Sequence, residues 1–185
     1  MPKVPAESAE QSTVQHFLRP RLTAIAPDTA EAVRYAGGWL FDRVMAGWDV
    51  TVITHETSDS RPLRILGVRP RDLDTLLAET VLADRVPGPC LRAVAVRIEL
   101  YEANPRVRQM VLAAAAAGGG EIRLWGEGWP QDFDEASGIA SHQLSMAARA
   151  FKAEALRAAG VTAPAAAVEE FRLGSARQCA LAAAI

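Results

Sequence analysis

Lysine is almost absent from this chain. Lys3 and Lys152 are the only two, and arginine supplies the rest of the 20 basic residues, set against 22 acidic ones for a formal charge of −2. General nucleic-acid binding needs a basic surplus that this balance does not provide. Only a local arginine face, built from Arg69, Arg71, Arg106 and Arg108, would serve a weak nucleic-acid-binding regulator. Cysteine is scarce as well. Cys90 and Cys179 lie far apart with no CxxC, which excludes a disulfide framework and fits a reducing compartment. No run of 18 apolar residues occurs. The longest apolar stretch, 110–120, is rich in alanine and glycine and too short to cross a bilayer. The first residues lack the apolar core of a secretory signal. These absences predict a cytoplasmic protein with no membrane association.

Chemical motifs are missing too. Neither phosphate-cradling pattern, GxGxxG after a strand or GxxxxGK[ST], is present, and there is no GxSxG nucleophile elbow. Gly118–Gly120 precedes a strand-like segment, the wrong order for a phosphate site. No cofactor or metal is expected.

What is present is a core. Half of the 185 residues are hydrophobic and the mean hydropathy is +0.05, enough for one domain and too much for general disorder. The stretch 31–68 organises the reading. Its first part has helical periodicity over 30–45, with Val33, Gly37, Leu40 and Val44 on one stripe, Asp28 or Thr29 as cap, and Gly47 as the terminator. The pair Gly37-Gly38 costs roughly 1 kcal/mol per glycine against alanine, so it predicts a close approach or a kink. Residues 48–54 then read as a β-branched strand covered on both faces.

Residues 62–68 read as a second strand. The connection to it is too short for a parallel crossover, so the two are expected to pair antiparallel. A helix is expected over 13–24, interrupted by Pro20, and further helices over 71–83, 105–117 and 137–159. Segment 91–103 fits helix and strand alike, with helix favoured. Residues 121–125 form a short strand. The expected fold is α/β: a three-layer domain over 13–160 with a mixed sheet of at least three strands and helices on both faces. A mobile arm at 1–12 and an alanine-rich segment at 161–185 flank it.

Two loops gather candidate functional residues. His55, Glu56 and Asp59 follow the predicted central strand, a common ligand position, and carry base and ligand chemistry; they are weak candidates, and an ordinary solvated turn is the favoured reading. Trp125, Trp129 and Phe133, beside Asp132, Asp134 and Glu135, have the composition of a partner-binding surface. His142 beside Ser141 and Ser145 reads as a satisfied helix histidine, since no acid or oxyanion hole is located for it. Cys90, between Pro87-Gly88-Pro89 and a possible helix start, is a weak nucleophile candidate.

A strong core pattern without nucleophile, phosphate or metal motifs leads to one primary expectation. It is a non-catalytic cytoplasmic binding or regulatory protein, acting through a protein partner or as a homo-oligomer. The alternative is an enzyme or small-ligand-binding domain whose pocket is formed by loops 54–60 and 126–135.

Overall fold

Short strands of β-branched and small apolar residues build the centre of the molecule. The computed structural model describes residues 19–55, 59–80, 92–116, 120–133 and 138–174. In it β1 (Arg21–Ile25), β2 (Asp49–Thr54), β3 (Arg69–Asp72), β4 (Arg92–Arg97) and β5 (Glu121–Trp125) pair in parallel. Two antiparallel strands extend the sheet: β6 (Ile139–Gln143) pairs with β7 (Val168–Gly174), and β7 with β5. The strand order is β3-β2-β1-β4-β5-β7-β6.

Alternation along the strands sends side chains to two separate cores. Leu22, Ala24, Val50, Val52, Ala93 and Ala95 share one core with residues of α1 (Thr29–Met45), α2 (Arg61–Ile65) and α6 (Met146–Ala158). Ile25, Ile53, Val94, Val96, Ile122 and Leu124 share the other with residues of α3 (Leu73–Thr80), α4 (Ile98–Ala103) and α5 (Pro105–Ala116). The three-layer α/β architecture with a mixed sheet is therefore as expected.

Several elements differ from expectation. Residues 21–25 form the central strand β1 rather than the end of a helix, because Leu22 and Ala24 alternate with Thr23 and Ile25 and bury both faces. Residues 62–68 are not a strand. Pro62 sits in the first turn of α2, where its missing N–H is harmless, and the strand beside β2 is β3. The segment between them holds α2, so β2 and β3 are parallel. The mixed character of the sheet comes from β7 and β6 instead. Segment 91–103 divides into β4 and α4. Residues 139–143 form β6 ahead of α6, and the alanine-rich C-terminal segment supplies β7.

α1 begins as its sequence implies, with the Asp28 carboxylate accepting from Glu31 N at 2.7 Å, and ends at Gly47 with φ 86°. The glycine pair serves close approach. A Cβ on Gly38 would lie 2.1 Å from Leu144 Cδ2, and one on Gly37 3.3 Å from Leu66 Cδ1. Beside them Glu169 reaches in from β7. Its Oε1 accepts from Gly38 N at 2.9 Å and from Lys152 Nζ at 2.6 Å; its Oε2 accepts from Trp39 N at 2.7 Å. Glu169 and Lys152 are both buried. In mid-helix such N–H groups ordinarily serve carbonyls four residues upstream, here those of Arg34 and Tyr35, and the carboxylate competes for them.

A second brace joins α1 to β6 and α6. Asp42 Oδ2 lies 2.8 Å from His142 Nε2, and Ser145 Oγ donates to Asp42 Oδ1 at 2.6 Å. Ser145 also caps α6, its Oγ accepting from Ala148 N. Burial alone would raise the Asp42 carboxyl, but the hydrogen bonds from Ser145 and His142 outweigh it and hold it below the ordinary carboxylate range.

Two predictions follow from these braces. Glu169→Ala leaves Lys152 buried without its anion and strips two helix donors, so stability should fall by about 3–5 kcal/mol. The measurement is a lower urea midpoint with unchanged slope, and the double variant Lys152→Met with Glu169→Gln should recover most of the loss. Asp42, with its lowered folded pKa, stabilises the protein above about pH 4, and this contribution fades as pH falls through the folded value. Asp42→Asn should cost about 1 kcal/mol at pH 7 and flatten the acid limb of a stability–pH profile.

Candidate functional site

In the order β3-β2-β1-β4 the sheet reverses direction of growth between β1 and β4. Crevices outside the carboxyl ends of strands at such a switch point are the usual ligand positions in open α/β sheets. Three segments meet there: the turn Ala26-Pro27-Asp28 leading into α1, the end of β4 at Arg97 running directly into α4, and Gly126 after β5.

Arg97 is the centre of this region. Its Nη1 is in close contact with Glu31 Oε1 from the first turn of α1. Its Nε lies 2.5 Å from Glu99 Oε2, and its Nη2 donates to Glu99 Oε1 at 3.1 Å. The guanidinium also lies 5.2 Å from the centroid of the Tyr35 ring, within cation–π range. Glu99 accepts from Glu127 N at 3.2 Å. Burial pushes the Glu99 carboxyl up, but backbone N–H donors, its own and that of Glu127, together with Arg97, outweigh burial, and the net shift is downward. Gly126 makes room for this. It sits at φ 116°, and a Cβ there would lie 2.4 Å from Glu99 Oε2. Arg172 of β7 donates to Gly126 O at 2.5 Å and its guanidinium stands 6.0 Å from the centroid of the Trp129 ring.

A small recess of about 190 Å³ lies beside this cluster, lined by Tyr101, Glu102, Arg108, Pro130, Gln131 and Asp132. Arg108 grips Asp132 through two bonds, Nε to Oδ2 at 2.7 Å and Nη2 to Oδ1 at 2.6 Å, and Tyr101 donates to the same carboxylate at 2.6 Å. The Arg108 bonds hold the Asp132 carboxyl below its ordinary range against the opposing effect of burial. Burial first, and then Asp132, raise the Tyr101 phenol. Tyr101 is therefore a fixed neutral donor and Asp132 a fixed anion at neutral pH.

The residues singled out in the sequence are placed unevenly. His55 is exposed, with Asp74 Oδ1 3.9 Å from its Nδ1. Asp59 accepts from Arg61 N at 2.9 Å, turning the chain into α2. Glu56 and Cys90 lie outside the described residues, as do the arm at 1–12 and residues 134–137. Loops 54–60 and 126–135 begin at the same edge of the sheet, but β1 and β4 separate β2 from β5. Three strand spacings, about 14 Å, lie between the strands they follow, and residues 56–58 and 134–135 of the two loops lie outside the described residues. The recess joins the second loop to α4 and the start of α5.

The aromatic set also differs. Trp125 and Phe133 are buried, so neither ring is offered to a partner. Trp129 is half-buried and donates its Nε1–H to Phe133 O at 2.7 Å. His142 lies on β6, and both it and Ser145 bond to Asp42, a brace rather than a nucleophile–base relay. Arg69 pairs with Asp49 at 3.3 Å on the β3 edge, while Arg108 holds Asp132 beside the recess.

Sequence reasoning missed Arg97, Glu31, Glu99 and Tyr101 as a group. The available signal was the change of period at Ile98, which places Arg97 at a strand's carboxyl end. Among the described residues no group of three or more His, Cys, Asp or Glu side chains is arranged to hold a metal ion. Nor, among those residues, is any helix long and apolar enough to cross a membrane.

No family model and no curated protein sequence matches this chain. Solved structures do. It is similar to the deacetylase of the teicoplanin biosynthesis pathway in complex with teicoplanin, with TM-score 0.57 and 14% identity over 83% of this chain and 98% of the other. It is similar to the zinc-inhibited form of teicoplanin deacetylase, with TM-score 0.53 and 16% identity over 75% and 83% of the two chains. It is also similar to the deacetylase of the A40926 pseudoaglycone, with TM-score 0.51 and 15% identity over 76% and 81%. Likeness at this identity shows a shared fold. It also corrects the primary expectation: these solved chains of the same architecture are enzymes, and the reading as a non-catalytic, protein-binding regulator is withdrawn on that finding.

Proposed function

We propose that the protein is an enzyme acting on a small polar substrate at the carboxyl edge of its parallel sheet, and that the reaction is hydrolytic removal of an acyl group from an amine. The observation that carries this reading is the cluster of Arg97, Glu31 and Glu99 at the β1/β4 switch point of a fold that solved deacetylases share. Carboxylates outnumber cations there: Asp28, Glu31, Glu99 and Glu127 stand against Arg97 and Arg172. Such a balance favours an amine or ammonium group over a phosphate. Amide hydrolysis by water yields a carboxylic acid and an amine, and the ammonium form of the amine is matched in charge to the crevice while the carboxylate is expelled from it.

In this reading Arg97 supplies positive charge to the carbonyl oxygen as it becomes an oxyanion. Glu99, the more exposed of its two carboxylate partners, gives way to the substrate, while Glu31 keeps the guanidinium in position. A carboxylate of the pair accepts the proton of the attacking water. The recess at Tyr101, Arg108 and Asp132 holds a neighbouring polar group of the substrate. Its volume lies below the roughly 300–1,000 Å³ of drug-sized pockets, which suits one ring or one residue of a larger molecule. Two widely spaced thiols support a reading in which the enzyme works in the reducing cytoplasm.

Release of free amine from N-acetylated amino sugars and N-acyl glycopeptides tests the proposal. The wild type is expected to turn over at least one of them, and Arg97→Ala to lose about 100-fold or more in kcat/KM, the scale of one removed oxyanion donor. Gly126→Ala, by forcing Glu99 aside, should alter KM more than Arg108→Ala does. A panel giving neither amine release nor a shift in Tm overturns the reading.

A further inference from the structure

We propose that β6 is a homotypic pairing edge, at which a second copy of this chain adds its own β6 antiparallel about a two-fold axis through Ser141. The backbone register supports this. Leu173 N donates to Gly138 O at 3.0 Å and Leu144 N to Ala167 O at 3.0 Å. These contacts turn residues 138 and 144 toward β7, and the alternation of an antiparallel ladder turns 140 and 142 the same way. Ile139, Ser141 and Gln143 therefore direct their N–H and C=O groups away from β7. No strand pairs with them among the described residues.

The two edges of the sheet are unlike. β3, at the far edge, reads Arg69-Pro70-Arg71-Asp72, with a missing donor and three charges, the devices that blunt an edge against pairing. β6 reads Ile139-Ala140-Ser141-His142-Gln143 and carries no proline, glycine, lysine, arginine or acid. Ile139 is 69% exposed and Val168, opposite Gln143 on β7, is 40% exposed.

A strand that meets its own image must avoid opposing like charges. Antiparallel pairing centred on Ser141 sets Ser141 against Ser141 and Ile139 against Gln143, with every outward N–H and C=O of the three residues bonded. Glu170, opposite Ser141 on β7, and its image then stand three strand spacings apart, about 14 Å. That exceeds the screening length of about 10 Å at 0.1 M salt. The pairing also lays Ile139 of one copy alongside Gln143 of the other, in the row that Val168 continues. A contact this short gives a weak, concentration-dependent dimer.

Sedimentation equilibrium from low to high micromolar concentration should show monomer and dimer for the wild type, and monomer alone for Ser141→Pro, which removes the outward N–H on the axis. The second measurement does not depend on that variant folding. In a background of Cys90→Ser and Cys179→Ser, Ser141→Cys should form a disulfide-linked dimer on mild oxidation. Opposed residues of a bonded antiparallel pair have Cα atoms about 5.5 Å apart, within the range of about 4.4–6.8 Å for disulfides. Gln143→Cys, whose image is displaced along the strand, should not cross-link. A wild type that stays monomeric overturns the proposal, including the case in which another segment of the same chain occupies the edge. So do the absence of a cross-link at position 141 and equal cross-linking at 141 and 143.

Discussion

One carboxylate holds the arrangement of the helices on the sheet. Glu169 leaves β7 and takes hydrogen bonds from Gly38 N, Trp39 N and Lys152 Nζ. A strand, the long helix α1 and the helix α6 are thereby fixed to each other at a single buried point. Exchanging a buried ion pair for apolar groups of equal volume is often neutral or favourable, so net stability is a poor explanation for its presence. Position is a better one. An apolar contact tolerates sliding along α1, whereas two backbone donors and one ammonium satisfy the carboxylate at one setting only. The Trp39–Phe171 ring contact, at 5.0 Å between centroids, flanks the same point. So does Arg123, held by Glu121 at 2.6 Å and lying over both rings.

The candidate site inherits that setting. Glu31 and Tyr35 are four residues apart on α1, hence on one side of it, and both face Arg97. Turning α1 by one residue, about 100° for 3.6 residues per turn, would carry both away from β4. The lock at Gly38 and Trp39 and the brace at Asp42 therefore define the geometry at the first turn. The far side of the crevice is fixed separately, where Arg172 of β7 holds Gly126 O. β7 thus contributes at both places: Glu169 sets α1 and Arg172 sets the turn after β5.

Much of the fold was legible in the sequence, and the exceptions have particular causes. β2 was readable because Val50, Val52 and Ile53 are β-branched and apolar in succession. α1 was readable because its cap, stripe and terminator agree. β1 was obscured because Leu18 and Leu22 also fit a helical step, and five residues are too few for alternation to prevail. Pro62 suits the first turn of a helix as well as the start of a strand, and the loop length before it then misdirected the pairing. β7 was hidden for a different reason. The alternation in Val168-Glu169-Glu170-Phe171 puts a glutamate on the buried face, and only the distant donors of α1 and α6 make that acceptable. The site was hidden likewise, since Arg97 belongs to a strand end only once β4 and α4 are separated.

The same partners argue against a nucleotide at the switch point, on firmer ground than a missing motif. Phosphates are drawn to this position in sheets of this order because the first helix offers unpaired N–H groups and the positive end of its dipole. In this protein that end is already occupied. Asp28 accepts from Glu31 N, and Glu31 brings a second carboxylate into the first turn. The turn before it, Ala26-Pro27-Asp28, has no glycine to let a phosphate approach the backbone. Arg97, the nearest cation, is held by two carboxylates, and an incoming anion would meet them before it met the guanidinium. The charge balance at this edge therefore disfavours a free phosphate and favours neutral or cationic groups.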